Sequence, residues 1–191
     1  GLIYERVRWR RRHDLDDGAV ELLLRPLPKD NVAVHKKWWQ ERHIMARRLM
    51  EKGDFKTAYE LVSNHIQKSG FAFAQAEWLA GWLALRFLDR PVDALHHFER
   101  LHAKVSTPVS LSRATYWMAR AAKAMGSEEL SRQWYEKAAR YQTTFYGQLA
   151  SYDMGRKHDL ANAGAPDLSM AQRQEFEENT LVRAAMILHK A

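Results

Sequence analysis

Few residues in this 191-residue chain have the type and spacing that chemistry needs. Glu175, Glu177 and Glu178 stand together, and paired carboxylates can hydrolyse glycosides when one of them is kept protonated in an apolar setting. These three open a strongly charged helical stretch with nothing beside them to bury one, so a solvated face is the better reading. His96, His97 and His102 cluster along the chain. Ligands on one helix share a face at i, i+3 or i, i+4, and these separations miss that spacing, so exposed helix histidines are expected in place of a metal centre. The absence of Cys excludes thiolate metal sites, disulfides and a Cys nucleophile. No Gly-rich phosphate loop, H-E-x-x-H, G-x-S-x-G or S-x-x-K pattern occurs. No catalytic, cofactor-binding or metal residue is therefore expected.

Aromatic residues are more suggestive. The chain has seven Trp and seven Tyr, and aromatics stack on sugar rings, or on bases when cations are interleaved. The i, i+4 pairs Trp78/Trp82 and Trp134/Ala138 equally suit a core stripe between helices. Trp38 and Trp39 point in different directions on a helix, so one buried ring and one exposed ring are expected.

The elements that would position these residues are repeated helix pairs. A helical run meets a breaker at Asp14, Gly53, Asp89 and Gly126. Five residues later comes a small residue, Ala19, Ala58, Ala94 or Ser131, at intervals of 39, 36 and 37 residues. Four positions further lies a bulky apolar one: Leu23, Val62, Phe98 or Tyr135. The small residue admits a close helix–helix approach, and the large one fills the groove on the same face. A pair of this length cannot bury its apolar face alone, so neighbours must stack. Asp54, Pro91, Thr107-Pro108, Ser127 and the Ser169/Gln172 capping box punctuate the helices. Helices are expected near 2–13, 17–25, 33–52, 54–68, 71–88, 91–104, 108–125, 128–141, 143–156 and 169–190, with a loop over 157–168. The predicted fold is all-α, a right-handed α-superhelix (solenoid) of tetratricopeptide-like helix pairs. One such domain would span 1–191, with repeat units near 1–30, 31–70, 71–106, 107–142 and 143–191.

The formal net charge is +7, which suits an acidic partner: nucleic acid, an anionic membrane or an acidic polymer. A solvated basic face is the plainer alternative, because only Arg6–Arg12 is a dense basic run. No apolar run approaches the ~18 residues that a bilayer span needs, and no signal peptide is visible. Helical patterns run at both Gly1 and Ala191, so both ends read as cuts through a longer protein.

Four segments together resemble a known family. They are GLIYERVRWRRRHDLDDGAVELLL, WWQERHIMARRLMEKGDFKTAYELV, FAQAEWLAGWLALRFL and YQTTFYGQLA, and in this order they resemble the soluble lytic murein transglycosylases, in the superhelical part that precedes the catalytic domain. The resemblance covers 1–150 and continues more loosely beyond. It implies a periplasmic enzyme that cleaves peptidoglycan glycan strands without water and leaves 1,6-anhydromuramoyl ends, using a single Glu on a lysozyme-like domain. In that family the catalytic Glu is followed by Ser. No Glu here is followed by Ser, and the family's Gly-Leu-Met-Gln stretch is absent. The catalytic domain is therefore expected to be missing, and the chain to be inactive by itself. The expected role is a scaffold that guides glycan strands, with peptidoglycan and the catalytic domain of the same protein as partners. Tyr141, Tyr146 and Gln148, nearest to where that domain would begin, are the candidate interface or glycan contacts; a cap on the last full helix pair is the alternative. Neither a nucleic-acid partner nor a cofactor is expected. A tetratricopeptide-like module for a protein or peptide partner is the rival reading.

Overall fold

The computed structural model describes residues 1–26, 32–156 and 169–190. The helices are α1 (Leu2–Arg12), α2 (Asp16–Leu24), α3 (Val32–Glu51), α4 (Phe55–Ser63), α5 (Gly70–Phe87), α6 (Pro91–His102), α7 (Pro108–Ala124), α8 (Glu128–Ala139), α9 (Phe145–Asp153), α10 (Met170–Glu178) and α11 (Thr180–Lys190). The described residues contain no strand, so the chain is all-α. The expected loop over 157–168 lies outside the described residues. Two compact units divide the chain, Gly1–Lys157 and His158–Ala191.

In the first unit the turns between paired helices share one geometry. Asp14, Gly53, Asp89 and Gly126 have φ of 56°, 80°, 51° and 76°, the left-handed conformation that ends a helix. At three of these turns the next amide reaches back five residues: Leu15 N to Arg10 O and Asp54 N to Leu49 O at 2.9 Å, and Ser127 N to Ala122 O at 3.0 Å. After Asp89 the same closure is one residue wider, Arg90 N to Ala84 O at 2.9 Å. Asp54 then caps α4 by accepting from Thr57 N, and Thr107 caps α7 by accepting from Ser110 N. Every small and bulky residue of the repeat register, from Ala19/Leu23 to Ser131/Tyr135, is buried. The approach of α5 and α6 is close: a Cβ on Gly81 would stand 2.6 Å from the ring of Phe98.

Helices in this unit pack on their sequence neighbours. The odd-numbered ones also touch in chain order: α1 with α3, α3 with α5, α5 with α7, and α7 with α9. This layering corrects the expectation for the tryptophan pair. Trp38 and Trp39 are both buried, 5% and 4% exposed, because α3 is sandwiched. Trp38 meets the edge of Tyr4 on α1 at 5.8 Å, and Trp39 Nε1 donates to Gln75 Oε1 on α5 at 3.0 Å. The basic run is partly consumed inside the fold. Arg10 donates to Gly18 O at 2.6 Å, and Arg11 grips the buried Glu41 with Nε at 2.5 Å and Nη2 at 3.2 Å.

Arg42 explains why α4 stops at Ser63, short of the expected 68. Its guanidinium is buried and donates to Leu61 O and Asn64 O at 2.9 Å and to Leu23 O at 2.7 Å. One cation thus satisfies the ends of both α2 and α4, where carbonyls lack helical partners and the dipole is negative. Burial pushes the Arg42 pKa down to about 10.

The second unit carries α10 and α11. Ser169 and Gln172 form the expected capping box. The single helix expected over 169–190 is broken at Asn179, whose extended backbone (ψ 124°) ends α10, while its side-chain oxygen accepts from Leu181 N at 2.9 Å. Glu175, Glu177 and Glu178 are exposed on α10. Among the described residues no helix is long and apolar enough to cross a membrane.

Candidate functional site

A groove of 540 Å³ opens between α5 and α7, inside the ~300–1,000 Å³ range of small-molecule sites. One face of α5 supplies Phe71, Gln75 and Trp78, three and four residues apart; α7 supplies Val109, Ser110 and Arg113. The α6–α7 connection adds Lys104 and Ser106, and α3 adds His43. The pair spacing builds this site: the 17-residue helix α7 starts at a Thr107 cap and a Pro108 in its first turn, so Arg113 falls a turn and a half in, alongside Trp78.

The Arg113 guanidinium lies over the Trp78 ring, 5.3 Å from its centroid, and Trp82 stacks against Trp78 at 5.9 Å. Two donors on this wall, Trp78 Nε1 and Arg113 Nε, are buried without a hydrogen-bond partner. Burial pushes the Arg113 pKa down, opposed by the nearby Tyr146 phenol. Burial, reinforced by Arg47, also pushes the His43 imidazole down. Phe71 stands on the rim, 82% exposed. Among the described residues lining the groove there is no Asp, Glu or Cys. The groove therefore lacks the paired carboxylates of a glycosidase and a carboxylate to orient His43 as a triad base. Its aromatic, cationic and hydroxyl groups suit binding.

A buried Glu elsewhere calls for the same scrutiny. Glu77 of α5 is 1% exposed, and a catalytic acid needs burial that raises its pKa. Here burial does push the carboxyl up, but hydrogen bonds from His65, His97 and Arg100 outweigh it and hold the pKa at about 2. His65 Nε2 donates to Oε1 at 3.0 Å while the Gln67 amide donates to His65 Nδ1 at 3.3 Å. His97 Nδ1 and Arg100 donate to Oε2, each at 2.7 Å, and Tyr59 bonds His97 Nε2 at 3.2 Å. Every polar atom is engaged, so Glu77 ties α4, α5 and α6 together as a fixed anion. His97 is thus buried, contrary to the expectation of exposed histidines, because it turns inward to Glu77; His96 is exposed and His102 half-buried against Trp134. No group of three or more His, Asp or Glu among the described residues could hold a metal ion.

The three residues singled out from sequence share a corner at α8–α9. Tyr146 packs on Tyr116 with ring centroids 5.4 Å apart. Tyr116 in turn donates to Asp153 Oδ2 at 2.9 Å and accepts from Arg120 at 3.0 Å. Gln148 Nε2 donates to Gln142 O at 3.0 Å. Tyr141 contributes its carbonyl, which accepts from the Thr144 amide at 2.9 Å. None of the three lines the groove. Sequence reasoning missed Phe71, His43, Arg113 and Glu77. Glu77 carried a signal, as the lone acid in the apolar run of α5. Arg113 carried none.

No family model, no curated protein and no solved structure matches the chain.

Proposed function

We propose that the chain is the non-catalytic scaffold of a periplasmic soluble lytic murein transglycosylase. In this reading the stacked pairs wind into a right-handed superhelix of tetratricopeptide-like units that guides glycan strands toward a lysozyme-like catalytic domain. The observation that carries the guiding role is the groove at Arg113 and Lys104, cationic, aromatic-lined and without a carboxylate among its described lining residues. Glycan strands bear peptide-stem carboxylates, which such a surface and a net charge of +7 attract. The order of the four family-like segments supports the choice of polymer. Tyr141, Tyr146 and Gln148, at the α8–α9 corner, are the proposed contact with the catalytic domain or with glycan.

Sedimentation with purified sacculi tests this reading. The chain should bind at low ionic strength and be released as salt shortens the screening length from about 30 Å at 0.01 M to about 3 Å at 1 M. It should release no anhydro-muropeptides. Failure to bind at low salt removes the guiding role; release of anhydro-muropeptides removes the non-catalytic one.

A tetratricopeptide-like module for a protein or peptide is favoured by one observation, the exposed Phe71 and Val109 on the groove rim. Competition for sacculus binding by an unrelated apolar peptide would support it.

A further inference from the structure

Buried or half-buried arginines in this protein are otherwise engaged. Arg42 donates to three carbonyls, Arg11 to Glu41, and Arg48 to Asp16 at 2.7 Å. Arg113 differs. It is half-buried, and no hydrogen bond or ion pair to a described residue engages any part of its guanidinium; its Nε is buried and unpaired, as is that of Arg42, whose two terminal nitrogens are nevertheless bonded. Its Nε has lost water without gaining a partner, which is costly, while the rest of the half-buried guanidinium lines the groove, where it can meet an anion. Trp78 holds the fork in place by a cation–π contact and is itself fixed by Trp82, so the donors are preorganised. Trp78 Nε1 is a second unpaired donor on the same wall. Lys104 adds a second cation to the groove, and the exposed Phe71 and Val109 flank it with apolar surface.

We infer that this groove is a binding site for the carboxylate end of a short acyl-peptide. Arg113 takes the planar carboxylate as a fork, which matches two parallel donors better than a point charge does. Lys104 adds attraction, and Phe71 and Val109 cover the peptide's side chains. Gln75 spends its carbonyl on Trp39, which leaves its amide to meet a peptide C=O. Identifying this ligand as the stem peptide of murein rests on the function proposed above; the carboxylate site itself does not.

The test titrates the intact chain with N-acetyl-alanyl-alanine as the free acid, with its C-terminal amide, and with inorganic phosphate, following backbone amide shifts. The free acid should perturb α5 and α7. The amide, or the Arg113→Gln variant, should bind about 10- to 100-fold more weakly, the loss expected for charge-assisted hydrogen bonds. Phe71→Ala, a rim change outside the core, should weaken both acid and amide and leave their ratio intact. An unperturbed spectrum and melting temperature of Arg113→Gln show that it folds; should it not fold, the acid-to-amide ratio in the native chain still decides. Equal affinity for acid and amide, undiminished binding by folded Arg113→Gln, or tighter binding of phosphate than of the acid would each overturn the site. Peptide binding without sacculus binding keeps the site and rejects the murein reading; sacculus binding without peptide binding does the reverse.

Discussion

His97 on α6 donates from Nδ1 to Oε2 of Glu77 on α5 at 2.7 Å. This bond joins two helices through a carboxylate that solvent does not reach, and it gives stability an acid limb. The folded pKa of Glu77, about 2, lies below its ordinary 4.5. The ionised form is therefore the stabilised one: its contribution is complete above about pH 4.5 and disappears as pH falls toward 2. The depression corresponds to something on the order of 3 kcal/mol. Urea unfolding of the native chain should weaken by about that amount across this range, and Glu77→Gln should show a flatter profile from a lower starting stability. Parallel profiles for the two proteins would rule the assignment out.

Arg42 gives a prediction of a different kind, since it pairs with helix-end carbonyls and no carboxylate. Arg42→Met removes donors from Leu23, Leu61 and Asn64 at once and leaves buried carbonyls unpaired, at a cost of about 3 kcal/mol. Arg42→Lys keeps the charge, but a single ammonium cannot span carbonyls on two helices, so it should recover only part of the loss. Denaturant midpoints should fall with unchanged slopes. A midpoint for Arg42→Met within error of the native value means that α2 and α4 close without it.

What could be read from the sequence follows from the range of each interaction. Ala58 and Val62, or Ala94 and Phe98, announce themselves because one helix turn separates them, and the breaker before each pair fixes the register. The pairing of helices was legible for the same reason. Arg42 was not: its acceptors lie 19 and 22 residues away, and nothing local marks it. That both Trp38 and Trp39 are buried is not legible, because a second neighbour for α3 cannot be seen along α3. Arg113 is distinguished only by what does not surround it, a property that exists after folding.

Gly81 and Phe98 test the close approach of α5 and α6. A Cβ at Gly81 would stand 2.6 to 3.0 Å from three ring atoms of Phe98, and this ring is fully buried, so it has nowhere to swing. Gly81→Ala should cost about 1–3 kcal/mol by overpacking. Phe98→Leu alone should cost a comparable amount through the cavity it leaves. Combined, the double variant should be less destabilised than the sum of the singles, because each change relieves the other. Strict additivity in melting or urea experiments would show that the two positions do not meet.

Gly147 and Tyr141 set the corner that carries the sequence-predicted contacts. A Cβ at Gly147 would run into the carbonyl oxygen of Tyr141 and lie 2.5 Å from its carbon. Those are backbone atoms, and no rotamer change can relieve the clash. The same carbonyl accepts from the Thr144 hydroxyl at 2.8 Å, which in turn accepts from the Gly147 amide at 3.1 Å, so moving it also undoes the cap of α9. Gly147→Ala should therefore displace the start of α9, lift Tyr146 off Tyr116 and loosen the Tyr116–Asp153 bond, at a cost of about 2–4 kcal/mol. Near-ultraviolet circular dichroism, sensitive to the Tyr116–Trp117–Tyr146 cluster, should change while helix content stays close to native. An unchanged near-ultraviolet spectrum in folded Gly147→Ala would mean that the α9 corner tolerates a side chain where the backbone leaves no room for one.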